Sequence, residues 1–371
     1  MSPSQDDTGE AVLVQPDTAD RMWSTLRGLS FPAIAVTILL ALVVISVVAN
    51  GGTETGDQIL TGLQVGAIYA LIAVGYTMVY GIIELINFAH GDVFTLSAFY
   101  AITIVAWSDD LHLPIDGLAT QHGFFGLVAA IAILITLTMI ATGLTGVAIE
   151  RLAYRRLRNS PRLAALITAI GMSFLLEGIM FAFFVPSGGL GGSYATGMDS
   201  WIGGIAFTIG GVIFDWGDLF VIVAAVLLMI GVQRYIQTSR LGKAMRASAQ
   251  DRDAALICGI NINRTIAATF FIGSALAAAA GVVYATHYHT IVWNQGYRFG
   301  IVAFTAAVLG GIGNIVGAGI GGFIIGLIEV FSGSLLPNGG GWSDAIIFAI
   351  LILILTLRPS GLLGVQVPDR A

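Results

Sequence analysis

Long apolar runs, separated by short polar stretches that often contain glycine or proline, dominate the chain. A helix needs about 20 mostly apolar residues to cross roughly 30 Å of hydrocarbon. Read with a window of that length, the pattern predicts ten spans, at 31–49, 59–80, 84–107, 124–149, 163–184, 218–233, 265–286, 300–314, 315–335 and 343–357. The sequence therefore predicts an all-α integral membrane protein with about ten transmembrane helices, some of them broken or half-spanning.

The same pattern divides the chain into three parts. Residues 1–30 form an acidic tail without an apolar run of spanning length, residues 31–357 form the transmembrane domain, and residues 358–371 form a second tail. Within the transmembrane domain, residues 234–264 form the longest connection on the basic side of the membrane.

Composition agrees with a membrane protein. Hydrophobic residues make up 56% of the 371 residues and charged residues only 10%, against roughly 25% charged residues in soluble domains. A soluble fold of this size cannot bury so much apolar surface, which excludes a soluble enzyme, a disordered regulator or a nucleic-acid-binding protein. The only lysine, Lys243, is followed by Ala244, so the chain lacks the lysine-containing loop that cradles ATP phosphates.

Charged residues are distributed unevenly between the two sides. Eleven of the 16 basic residues fall in two loops, which contain Arg151, Arg155, Arg156, Arg158 and Arg162, and Arg234, Arg240, Lys243, Arg246, Arg252 and Arg264. The connections on the opposite side are acidic, and Arg298 is their only basic residue. The positive-inside rule places both basic loops in the cytoplasm. Ten crossings then place both termini there too.

The second basic loop contains an alanine-rich stretch without proline. From Gly242 to Ile257 it predicts one short amphipathic helix, with Gly259 as its C-terminal stop. Such a helix lies on lipid headgroups or docks to a soluble partner, and composition leaves both interpretations open.

Five stretches of the chain resemble one family of membrane proteins. They are GKAMRASAQDRDAALICGIN at 242–261, NFAHGD at 87–92, ERLAYRRLRNSPRL at 150–163 with ITAIGMS at 167–173, FTAAVLGGIGNIVGA at 304–318, and RPSGLLG at 358–364. In their order along the chain they resemble the LivH-type permeases of ATP-binding-cassette (ABC) importers for branched-chain amino acids. The resemblance covers roughly residues 58–365.

The resemblance implies a transport subunit of the cell (inner) membrane that is not itself an enzyme. It implies two ABC ATPase subunits, a second permease subunit (similar or identical) and an extracytoplasmic amino-acid-binding protein as partners. ATP-Mg is then used by the ATPase subunits, and this chain binds no cofactor or metal. Related permeases carry urea, short amides or other amino acids, and nothing in this sequence selects among these substrates.

The resemblance also identifies the stretch at 242–261 as the segment that contacts the ATPase subunits. The residues expected to form this contact are Gly242, Lys243, Arg246, Ala247, Asp251, Ala254 and Gly259.

A polar cluster interrupts the apolar pattern at the start of the third predicted span. Glu84, Asn87, His90 and Asp92 fall within nine residues, and charged groups inside a membrane usually face a cavity or a partner. One interpretation is a broken helix that lines the substrate path, together with Phe88 and Gly91. The other is a structural turn whose polar groups satisfy one another.

A glycine-rich stretch at 310–326, which covers the end of the eighth predicted span and part of the ninth, offers a second candidate. Spacing of four residues between glycines favours close packing of helices, while Thr305, Gly310, Gly311, Gly313 and Asn314 are further candidates for the substrate path. Isolated carboxylates at Glu177 and Glu329 keep an alternative open, in which the chain is an ion-coupled secondary transporter.

Overall fold

The computed structural model describes residues 31–108, 115–158, 160–184, 195–196, 201–337, 339–358 and 360–364. The predicted acidic tail at 1–30 lies outside the described residues, as do residues 365–371 of the second tail.

The described residues form thirteen helices and four short strands. In chain order they are α1 (Phe31–Asn50), α2 (Gly52–Ile83), α3 (His90–Ala106), α4 (Ile115–Gln121), α5 (Gly123–Ile149), which continues through a π-helical turn (Glu150–Tyr154) into Arg155–Leu157, α6 (Arg162–Phe183), β1 (Ala195–Thr196), β2 (Ile205–Ile209), β3 (Val212–Asp215), α7 (Trp216–Thr238), α8 (Arg240–Gln250), α9 (Arg252–Ile257), α10 (Ile262–Tyr288), β4 (Thr290–Ile291), α11 (Gln295–Gly310), α12 (Ile315–Leu335) and α13 (Gly339–Leu357).

Eight described helices are long and apolar enough to cross a membrane: α1, α2, α5 with its extension, α6, α7, α10, α12 and α13. The predicted spans at 84–107 and 300–314 correspond instead to α3 and α11, which have 17 and 16 residues. At 1.5 Å per residue these helices are about 25 Å long, shorter than the hydrocarbon layer. The prediction of an all-α integral membrane protein is confirmed by these eight helices and the two shorter ones among the described residues.

Helices α2 and α10 form the centre of the bundle, because most of their side chains are buried. Helix α12 packs closely against α2 through glycines: a Cβ atom on Gly66 would lie 2.8 Å from the Phe323 Cα atom, and one on Gly62 would lie 3.0 Å from the Leu327 Cα atom. Helices α1, α7 and α13 expose apolar side chains along their length. These exposed faces suit contact with lipid.

The two ends of the bundle differ in charge. At one end, which we call the basic end, the loop after α5 meets the start of α10 through a hydrogen bond from Arg158 to Asn263. At the other end, β2 and β3 form an antiparallel hairpin that sequence reasoning missed. Its turn residues Gly210 and Gly211 both have positive φ (60° and 92°), as two-residue hairpin turns require. We call this the hairpin end.

Candidate substrate path and coupling segment

The chain between α2 and α3 is a break that leads from the exposed Glu84 into the bundle, as the broken-helix interpretation of the polar cluster predicts. Glu84 ends α2 in the left-handed conformation (φ 54°), and its amide donates to the Tyr80 carbonyl. Residues 84–87 have no regular structure, and α3 begins at His90. The His90 ring packs against Tyr76 of α2, with ring centroids 4.9 Å apart. Since Tyr76 lies two helical turns before the end of α2, the break returns the chain into the bundle.

The start of α3 is fully enclosed. A Cβ atom on Gly91 would lie 2.5 Å from the Gly300 Cα atom and would overlap the Gly296 carbonyl oxygen. Only glycine at this position lets the break approach the backbone of α11 so closely. Gly91 therefore has a packing role in this structure.

Three polar atoms around this break are buried and lack hydrogen-bond partners among the described residues: His90 Nε2, Asp92 Oδ1 and the Tyr76 hydroxyl. The other Asp92 oxygen, Oδ2, accepts a hydrogen bond from Ser173 of α6. A buried polar atom without a partner costs about 1–3 kcal/mol. The break thus retains free hydrogen-bonding capacity, a property that a turn whose groups satisfy one another would not have.

Asn87 is held by a residue that sequence reasoning missed. Its Oδ1 atom accepts a hydrogen bond of 2.9 Å from the Tyr154 hydroxyl, and the Tyr154 ring packs on Phe270 of α10 at 5.4 Å. Tyr154 ends the π-helical turn that extends α5. Turns of this kind often occur at functional sites, but the sequence carries no signal that distinguishes one from an ordinary helical turn.

Phe88 and Thr305 are two further candidates for the substrate path. Phe88 is half-buried and lies 6.5 Å from Phe304 between ring centroids. The buried Thr305 hydroxyl donates to the Ile301 carbonyl of its own helix (2.9 Å).

The turn from Gly310 to Asn314 joins α11 to α12 at the basic end and packs on the C-terminal segment 360–364. Gly311 has φ 106° and its amide donates to the Ala307 and Val308 carbonyls of α11, while a Cβ atom there would overlap Gly364. Gly310 packs against Gly317, which confirms close packing within the glycine-rich stretch, whereas a Cβ atom on Gly313 would meet open space. Asn314 caps α12 by accepting from the Gly317 amide (3.0 Å) and donates to the Leu363 carbonyl (2.8 Å).

The predicted single helix from Gly242 to Ile257 is wrong, because the segment forms two helices, α8 and α9. Asp251 separates them: its side chain accepts hydrogen bonds from the amides of Asp253 (2.9 Å) and Ala254 (3.0 Å). Asp is a strong N-cap, and its side chain competes with the helical bonds of the preceding turn. Gly259 follows α9 with φ 81°, which confirms its role as a stop.

We call α8 and α9 together the coupling segment. Its exposed residues include Lys243, Ala254 and two apolar side chains, Leu256 (56% exposed) and Ile257 (88% exposed). Ala247 is half-buried.

Other predicted contact residues of the coupling segment hold it to the bundle. A Cβ atom on Gly242 would overlap the Ile236 carbonyl oxygen of α7, so a glycine is needed at this tight turn. The Arg246 side chain points back to α7 and donates to the Ile236 and Gln237 carbonyls. It satisfies carbonyls that the end of a helix leaves without partners.

Arg252 connects the coupling segment to the break. Its Nη2 atom donates a hydrogen bond of 2.7 Å to the carbonyl of Ile82, two residues before Glu84. The first residue of α9 is therefore attached to the last turn of α2, next to the polar cluster. Sequence reasoning did not identify this residue.

A buried carboxylate organises the neighbouring part of the basic end. Glu150 is fully buried and pairs with Arg155 (3.0 Å) and with Arg158. Burial lowers the pKa of the Arg158 guanidinium from its usual value, and the adjacent Glu150 carboxylate opposes that shift. These pairs fix the π-helical turn that positions Tyr154.

The prediction that Glu177 and Glu329 are isolated carboxylates is wrong for Glu329. Glu329 is not isolated, because its Oε1 atom lies 2.8 Å from Arg298 Nη2. Arg298 also pairs with Asp344 (2.8 Å). Glu177 is half-buried on α6.

These features define a class of protein: a multi-pass membrane protein with a helix break inside the bundle and an exposed segment at one end, as membrane transporters have. The family described as "branched-chain amino acid transport system / permease component" matches residues 58–355. The chain belongs to this family.

Similar proteins match about four fifths of the chain. The permease protein BraD of a high-affinity branched-chain amino acid transport system from Pseudomonas aeruginosa is 42% identical over 317 residues, 83% of this chain and 95% of that protein. LivH of Escherichia coli, a permease protein of the same kind of system, is 39% identical over 83% of this chain and 95% of its own length. A probable LivH permease from Methanocaldococcus jannaschii is 26% identical over 80% of this chain and 88% of its own length.

Proposed function

We propose that this chain is the membrane-spanning permease subunit of an ABC importer that carries branched-chain amino acids across the inner membrane. An extracytoplasmic binding protein delivers the amino acid, two ABC ATPase subunits hydrolyse ATP-Mg, and a second permease subunit completes the path. The basic end faces the cytoplasm, as the positive-inside rule requires. Family membership and the relatives named above support this proposal.

The observation that carries the proposal is the attachment of an exposed segment to a buried break. The coupling segment presents Leu256 and Ile257 to solvent, as a surface for a soluble ATPase subunit requires. Through Arg252 it is attached to the end of α2, so a movement of the segment displaces the backbone beside the polar cluster. Closure of the ATPase subunits on ATP would then shift the permease between outward-open and inward-open states.

The proposal is tested by purification and by transport. We expect the chain to retain the ATPase subunits on purification from membranes, and Ile257→Asp to lose them because a charge replaces an exposed apolar contact. Ile209→Asp is the matched control, because Ile209 is also exposed (63%) but lies in the hairpin at the other end. Equal retention in both variants would contradict the assigned surface.

Transport separates the importer from an ion-coupled transporter. In liposomes, we expect leucine uptake only when the permease pair, the ATPase subunits, ATP-Mg and the loaded binding protein are all present. Uptake by the permease alone, driven by an ion gradient, would overturn the proposal.

A further inference from the structure

A second charged site lies near the hairpin end, where α11, α12 and α13 meet. Arg298 of α11 contacts Glu329 of α12 and Asp344 of α13, with distances of 2.8 Å to each carboxylate. The end of α12 that carries Glu329 lies beside the turn between α1 and α2, because Asn50 Nδ2 donates to Ser334 Oγ (3.5 Å). The hairpin packs on the start of α2 in turn, since Val212 lies against Gly56.

The charges of this site do not balance. Two carboxylates share one guanidinium, and Glu329 Oε2 is buried without a hydrogen-bond partner among the described residues. The site is nevertheless open, because the side chains of Arg298 and Asp344 are 40% and 41% exposed. A net negative, accessible site with an unsatisfied carboxylate oxygen is suited to an ammonium group, and the Arg298 guanidinium is suited to a carboxylate.

Aromatic side chains pack beside the same site. Tyr69 is buried beside Glu329, and its ring is 5.5 Å from Phe299, the partly exposed residue after Arg298. Phe299 stacks on Phe94 of α3 at 5.0 Å. Phe94 follows Asp92 by two residues, so the aromatic cluster extends from the charged site to the start of α3.

We propose that Arg298, Glu329 and Asp344 form an entry subsite for the zwitterionic head group of the transported amino acid. The substrate ammonium binds the two carboxylates, its carboxylate binds Arg298, and its aliphatic side chain lies against Phe299, the partly exposed ring of the aromatic cluster. This subsite rests on the proposed function and adds to it a position where the substrate is held before it reaches the break.

The test uses the complete transporter in liposomes, with leucine as the probe and two measurements on each variant. Glu329→Gln removes the charge but keeps the shape, and Asp344→Asn does the same at the more exposed position. Glu54→Gln is the matched control, because Glu54 is an exposed carboxylate of α2 at the hairpin end. Initial leucine uptake is measured beside the ATP hydrolysis that the loaded binding protein stimulates.

We expect each subsite variant to lower leucine uptake by about tenfold or more, the effect of losing one charge-assisted contact. Stimulated ATP hydrolysis and the control variant should stay at the wild-type level. Wild-type uptake in both subsite variants would overturn the subsite and leave the proposed function intact. Loss of stimulated hydrolysis together with uptake would also overturn it, because the ion pairs would then only hold the three helices together. An inactive wild type in the same assay would instead contradict the proposed function.

Discussion

The hydrogen bond from Arg252 to the Ile82 carbonyl offers a direct perturbation of coupling. In Arg252→Met the aliphatic stem of the side chain is largely retained, while the donor to the last turn of α2 is lost. We expect the variant to insert and to bind its ATPase subunits, since Leu256 and Ile257 still form the exposed surface. Its defect should lie in the transfer of movement from the coupling segment to the break.

The size of the effect follows from the contact. A hydrogen bond to a charged group contributes about 1.5–3 kcal/mol, and the half-buried position of Arg252 favours the lower part of this range. Because 1.4 kcal/mol corresponds to a factor of ten, the ratio of leucine transported to ATP hydrolysed should fall by about tenfold. Arg252→Lys keeps one charged donor and should give an intermediate ratio.

The assay measures leucine uptake and ATP hydrolysis in the same proteoliposomes. Arg264→Met serves as the control, because Arg264 is an exposed arginine of the same loop and the described contacts give its side chain no structural role. If Arg252→Met transports with the wild-type ratio, the attachment to α2 does not transmit the movement, and our account of coupling fails at that step.

Two further predictions concern the break itself. Gly91→Val forces a side chain into the backbone of α11. This overpacking costs about 1–3 kcal/mol and should lower the unfolding temperature of the purified protein in detergent. An unchanged temperature would contradict the close approach of α3 to α11. Tyr154→Phe removes the hydrogen-bond donor to Asn87 and should lower the free energy of unfolding by about 1 kcal/mol. The backbone amides at 85–90 should then exchange hydrogen faster than in the wild type. Identical exchange rates would show that this hydrogen bond does not hold the break.

Much of the architecture could be predicted from the sequence, because lipid imposes simple rules on length and polarity. The apolar runs identify the membrane helices, and the polar cluster at 84–92 identifies the break, since charge is costly in hydrocarbon. Gly259 could be assigned as a helix stop because few residues other than glycine adopt positive φ easily.

Other features depend on contacts that no local pattern encodes. The pairing of Arg298 with Glu329 and Asp344 joins residues 31 and 46 positions apart, and the bond from Arg252 to Ile82 spans 170 positions. The split of the coupling segment at Asp251 is different: Asp before a short alanine-containing run is a recognised N-cap signal. A prediction of one continuous helix gave the alanine content too much weight.

The central claim is that the coupling segment lies in the cytoplasm and contacts an ATPase subunit. Cys258 is the only cysteine of the chain and is exposed directly after α9, so a photoactivatable cross-linker attached to it probes this surface in the complete transporter. We predict a cross-link to the ATPase subunit, and labelling of Cys258 by a membrane-impermeant maleimide only in vesicles that expose the cytoplasmic face. Labelling from the outer face of intact cells, with no cross-link to the ATPase subunit, would contradict the account.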